Sequence, residues 1–83
     1  MTFCVIAMVA GEVAKVHGPY TNEETARDHM NKMGRETLAS CRENTDTEWT
    51  FIKKNKRQYV IQQDVEDDPE IYEFVVHSMD SPK

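Results

Sequence analysis

The stretch 21–44 constrains this chain more than any other, because its apolar spacing fits a helix and little else. Ala26, Met30, Met33, Thr37 and Cys41 recur at three- and four-residue steps, so they line one face of a 3.6-residue period. Thr21 and Glu24 have the spacing of a capping box, in which each side chain satisfies an orphan backbone donor at the helix start. Opposite charges at Glu23/Arg27, Asp28/Lys32 and Lys32/Glu36 stand four residues apart and support the helix. Gly34 interrupts this pattern, and a mid-helix glycine costs about 1 kcal/mol against alanine. It predicts a kink or a close approach of helix to sheet, and its place at the border of the stripe favours close approach.

The rest of the chain reads as strands that this helix must cover. Residues 3–9 alternate, with Phe3, Val5, Ala7 and Val9 on one side and Cys4, Ile6, Met8 and Ala10 on the other. Gly11-Glu12 is the expected two-residue turn. Residues 13–17 then return as a second strand, with Ala7 facing Val16, Met8 facing Lys15 and Ile6 facing His17. Gly18-Pro19 is expected to end that strand, and Tyr20 leads into the helix. After an exit loop at 44–47, residues 48–53 form a third strand carrying Trp49, Phe51 and Ile52. Lys53, Lys54, Asn55, Lys56 and Arg57 make a basic tip, with asparagine suited to the turn. Residues 58–63 return around Tyr59, Val60 and Ile61.

Residues 64–70 are acidic, and Asp68-Pro69-Glu70 suits either a turn or the start of a short helix. Beyond them Tyr72, Phe74 and Val76 alternate with Glu73, Val75 and His77 in a β-branched and aromatic run, which predicts a fifth strand. A short helix is the alternative. Residues 78–83 read as a loose tail. The expectation is a single α+β domain over 1–83: an antiparallel sheet of four to five strands in the order β-β-α-β-β-β, with one long helix on one face. If strands three to five form a meander, the basic tip and the acidic turn lie at opposite ends of strand four.

Composition narrows the function classes. A net charge of −5 argues against general affinity for nucleic acid or an anionic membrane, though not against a local basic patch. The apolar run 3–10 has no basic segment before it and is far too short to span a bilayer. Two cysteines are too few for a secreted disulfide scaffold, and no Cys/His cluster has zinc spacing. These features predict a cytoplasmic protein with no membrane association, metal or cofactor. Cys4 and Cys41 are expected on opposite sides of the sheet, unbonded.

The passage through Gly18-Pro19-Tyr20 into Thr21-x-x-Glu24-x-Ala26 resembles a junction in small bacterial and phage open reading frames. Peptidoglycan-binding SPOR domains have a similar glycine-proline-aromatic step into a helix. The similarity covers residues 13–30. The second αβ unit of a SPOR domain is missing here, as is an export signal, so peptidoglycan binding is not carried over. The type of protein it resembles is a phage or mobile-element accessory protein, which implies interaction with, or modulation of, host components.

Three constellations bear on chemistry. Cys4 and His17 are expected as diagonal neighbours, but no third group orients the imidazole and there is no glycine-rich oxyanion loop, so no catalytic residue is assigned. Asp64, Glu66 and Asp68 alternate as calcium ligands do, yet a calcium loop counted from Asp64 would need glycine at Pro69 and glutamate at Val75. Lys53, Lys54, Lys56 and Arg57, flanked by Trp49 and Tyr59, are candidates for a nucleic-acid contact, with cations on phosphates and an aromatic on a base. The ordinary reading of that tip is a solvated turn whose lysines guard a sheet edge.

The leading expectation is a non-enzymatic interaction module. One helix can cover one sheet face, yet Cys4, Ile6, Met8, Ala10 and Val13, with Lys15 beside them, leave the first hairpin apolar on the other face too. An apolar second face needs a second cover. A second copy of the chain, making a homodimer, is the commonest solution, and a different protein is the next.

Overall fold

The computed structural model describes residues 2–65 and 70–79, apart from the side chains of Lys53 and Lys54. Its elements are β1 (Phe3–Val9), β2 (Glu12–Tyr20), α1 (Glu23–Asn44), β3 (Trp49–Asn55), β4 (Gln58–Gln63) and β5 (Ile71–Ser78). All strand pairs are antiparallel and the sheet order is β2-β1-β5-β4-β3. The run after the acidic segment is therefore a strand, held on both sides by β1 and β4. Strands β3, β4 and β5 form a meander, with Arg57 and Asp64 just beyond opposite ends of β4. Of the acidic run, residues 66–69 lie outside the described residues.

Alternation decides what each strand buries. Phe3 and Val5 of β1, Trp49 of β3, Tyr59 and Ile61 of β4, and Phe74 and Val76 of β5 turn to one side. There they meet Ala26 and Met30 of the helix, with Met33, Leu38, Cys41 and Tyr72 packed around them. Gly34 marks the closest approach. A β-carbon there would lie 2.4 Å from Cδ1 of Tyr59, so the helix can sit this low only because the position has none. The helix end is tied as well. The Trp49 indole N–H donates to Thr45 Oγ1 at 2.7 Å, and the Arg42 guanidinium donates to the Trp49 carbonyl at 3.1 and 3.3 Å.

Three local expectations are corrected. The helix cap is Asn22, not a Thr21/Glu24 box: its Oδ1 accepts from Thr25 N at 2.8 Å and its carbonyl accepts from Ala26 N at 3.3 Å. Asparagine ranks above threonine as a cap, and the helix starts one residue later. Strand β2 does not end at Gly18-Pro19 but runs through both to Tyr20. Proline is tolerated there because β2 is an edge strand, where its missing N–H breaks no ladder.

The third correction moves side chains between faces. The turn is Ala10-Gly11, not Gly11-Glu12, and both residues have positive φ (53° and 83°), as a type I′ turn requires. The β1–β5 ladder reaches past Val9, where Ala10 N donates to Ile71 O at 2.9 Å, and this holds alanine in the turn despite its left-handed backbone. Glu12 consequently pairs with Val9 and Val13 with Met8, and a β-bulge between Ala7 and Met8 then sets Lys15 opposite Ala7, Val16 opposite Ile6 and His17 opposite Val5. That bulge, not the turn, puts Lys15 and His17 on the helix side of β2 and Val16 on the other side, because moving the turn by one residue shifts the pairing by two and leaves each side chain on its face.

Candidate functional site

The side of the sheet away from the helix has no described element upon it. Pairing registers identify what it presents: Cys4, Ile6 and Met8 from β1, Val13 and Val16 from β2, Ile71, Glu73, Val75 and His77 from β5. Gln58, Val60 and Gln62 follow from β4. Val13, Val16 and Ile52 keep 60%, 57% and 52% of their surface exposed, although each lies in a sheet. Isolated exposed apolar residues are ordinary, whereas a run of them across adjacent strands is not. The apolar residues concentrate on the β2-β1-β5 half, while glutamines interrupt the β4 side. Glu73 is the carboxylate on that half, and Gln58 Nε2 donates to its Oε2 at 3.4 Å.

Of the residues expected at this surface, Ile6, Met8 and Val13 stand on it. Cys4 points the same way but is buried, enclosed between neighbouring strands, with His77 directly across from it on β5. Ala10 sits in the turn at its end, and Lys15 faces the other side beside Ala7. Val16, Val75, Val60 and Ile71 are the residues that sequence reasoning missed. The alternation of β5 already implied Val75, whereas Val16 was hidden by the bulge in the β1–β2 ladder.

The basic hairpin is arranged differently from a nucleic-acid platform. Trp49 and Tyr59 are core residues, 2% and 5% exposed, and neither can stack on a base without opening the core. Arg57 is engaged: its Nε and Nη2 donate to the two carboxylate oxygens of Glu23 at 2.9 and 3.2 Å, fastening the hairpin tip to the first turn of the helix. That hydrogen bond, with desolvation opposing it, holds the Glu23 carboxyl below its usual range. Lys56 is exposed beside it, and Lys53 and Lys54 belong to β3, with side chains outside the description.

On the helix side, an open groove of about 390 Å³ lies between the helix and β2, lined by His17, Glu36, Cys41, Tyr72 and neighbours. The imidazole thus shares a groove with Cys41, while Cys4 lies on the opposite face, so the Cys4–His17 neighbourhood expected from the sequence does not form. Burial, then the charge of Glu70, pushes the Cys41 thiol and the Tyr72 phenol up, which keeps both protonated near neutrality. A protonated thiol is a poor nucleophile. Both cysteines are free, on opposite sides of the sheet as expected. Among the described residues no three His, Cys, Asp or Glu side chains gather as metal ligands would, and no helix is long and apolar enough to cross a membrane. No known protein family, curated protein or solved structure matches the chain.

Proposed function

We propose that this protein is a non-enzymatic interaction module whose working surface is the open sheet face, and that a second copy of the chain covers it. The observation that carries the reading is the contiguous apolar patch of Ile6, Met8, Val13, Val16 and Val75 on a face that no described element packs against. Size favours a partner with a flat face of its own. Five strands at about 4.8 Å spacing and roughly 23 Å length present on the order of 550 Å² in projection. A standard interface takes about 800 Å² of accessible surface per partner, so a matching sheet face is near the required extent. The apolar half carries little charge that an identical face would repel. Back-to-back packing of two sheets at about 10 Å is the geometry such faces adopt.

Because the patch is at the small end, the dimer is expected in the micromolar range, not the nanomolar. Light scattering across about 10–500 µM protein tests it, with dissociation constants of this order as reference. The parent should pass from monomer to dimer over that range. Val16→Lys combined with Val13→Lys should stay monomeric with an unchanged melting temperature, since both residues are exposed in the single chain. A parent that stays monomeric throughout would refute self-association.

A further inference from the structure

On the β2-β1-β5 half of the open face, the described side chains able to carry opposite charge are Glu73 and His77. They stand on one strand, two residues before and two residues after Val75. Val75 pairs with Ile6, and Ile6 pairs with Val16, so Val16, Ile6 and Val75 form an apolar row straight across three strands. We infer that two copies associate about a two-fold axis running along this row, at right angles to the strands, with Glu73 of each copy over His77 of the other. The inference rests on the reading that a second copy covers this face.

A symmetric pair of facing sheets must have its axis in the plane between them, and the charged residues choose its direction. An axis parallel to the strands over β5, the centre of the sheet, sets Glu73 against its own copy. Two carboxylates desolvated together are strongly unfavourable. An axis parallel to the strands over β1 sets Glu73 over Val13, because both pair with Met8. That buries a carboxylate against a methyl surface. The crossing axis instead pairs each carboxylate with an imidazole and leaves Val16, Ile6 and Val75 each against its own copy. It also puts Met8 over Cys4, a flexible side chain over a small one. A sheet separation of about 10 Å is within reach of a glutamate and a histidine extended toward each other. Within one copy, the neighbours of this pair are Cys4 beside His77, Gln58 beside Glu73, and Lys56 and Arg57 in the adjoining turn, where Arg57 is held by Glu23.

Site-specific cross-linking tests the axis in a Cys4→Ala, Cys41→Ser background. Val75→Cys or Ile6→Cys lies on the axis, about 10 Å from its own copy, and a short bismaleimide should join it. Ile71→Cys lies four residues off the axis, so eight residues or roughly 26 Å separate the two copies and no cross-link should form. Charge exchange gives a second readout. Glu73→Lys and His77→Glu should each weaken dimerisation about tenfold, and the double variant should recover to within about threefold of the parent. Cross-linking of Ile71→Cys as readily as Val75→Cys, or no recovery in the double variant, would overturn the axis while self-association stands. A parent that does not dimerise at all removes the underlying reading instead.

Discussion

Replacing Gly34 by alanine probes how the helix sits on the sheet. A β-carbon at this position lies 2.4 Å from Cδ1, 2.6 Å from Cε1 and 2.7 Å from Cγ of Tyr59. Ordinary carbon–carbon contact is about 3.5–4.0 Å, so ring and helix must part by roughly 1 Å. The ring has little room to yield: Tyr59 is 5% exposed and its ring centroid lies 5.3 Å from that of Phe51. Overpacking of this kind costs about 1–3 kcal/mol, while the better helix propensity of alanine returns about 1 kcal/mol. The net expectation is a loss of up to about 2 kcal/mol, which lowers the melting temperature of a domain this size by up to roughly 16 °C. Urea titration and thermal melts read it directly. In a Tyr59→Leu background the same substitution should become neutral or stabilising, so the double-mutant cycle carries a large coupling. Stabilisation by Gly34→Ala in the parent would refute the close approach.

Other perturbations test the remaining local claims. Ala10→Asn should stabilise the fold by about 0.5–1 kcal/mol in urea titration, because asparagine tolerates the left-handed conformation that alanine adopts here at a cost, and Asn-Gly is the preferred type I′ pair. Thr45→Val should cost about 1–3 kcal/mol by leaving the part-buried Trp49 indole N–H without its acceptor. Glu23 contributes stability that is present above the ordinary glutamate value of 4.5 and is lost as pH falls through its lower folded value. Glu23→Gln should flatten that part of the acid stability profile, and an unchanged profile would show that the Arg57 contact has no weight in solution.

The parts of the fold that were legible in the sequence are those set by local periodicity. The stripe from Ala26 through Met30 fixes which side of the helix is buried, and strict alternation in residues 3–9 and 71–77 fixes which side of β1 and β5 meets it. Gly34 was readable as a close approach because a glycine bordering an apolar stripe has few other uses. The turn at Ala10-Gly11 was not readable. Either two-residue turn suits the residues there, and a long-range bond from Ala10 to Ile71 selects between them. The sheet order was equally hidden, because β1 pairs with β5 across most of the chain and no local signal announces it. That order matters for the candidate surface. It brings Val75 beside Ile6 and joins two separate apolar strands into one patch. The aromatic residues flanking the basic tip illustrate the converse. Proximity in sequence suggested that Trp49 and Tyr59 serve the tip, while alternation sends both into the core.

The central claim is that the open sheet face is where this protein makes contact, and that a second copy makes it. An isotope-filtered nuclear Overhauser experiment on a mixture of labelled and unlabelled protein, at a concentration where the dimer forms, tests it most directly. The account predicts intermolecular contacts among the methyl groups of Ile6, Met8, Val16 and Val75, and none from the helix residues Ala39 or Leu38. Intermolecular contacts from the helix side, with the methyl groups of the open face remaining solvent-exposed, would contradict it.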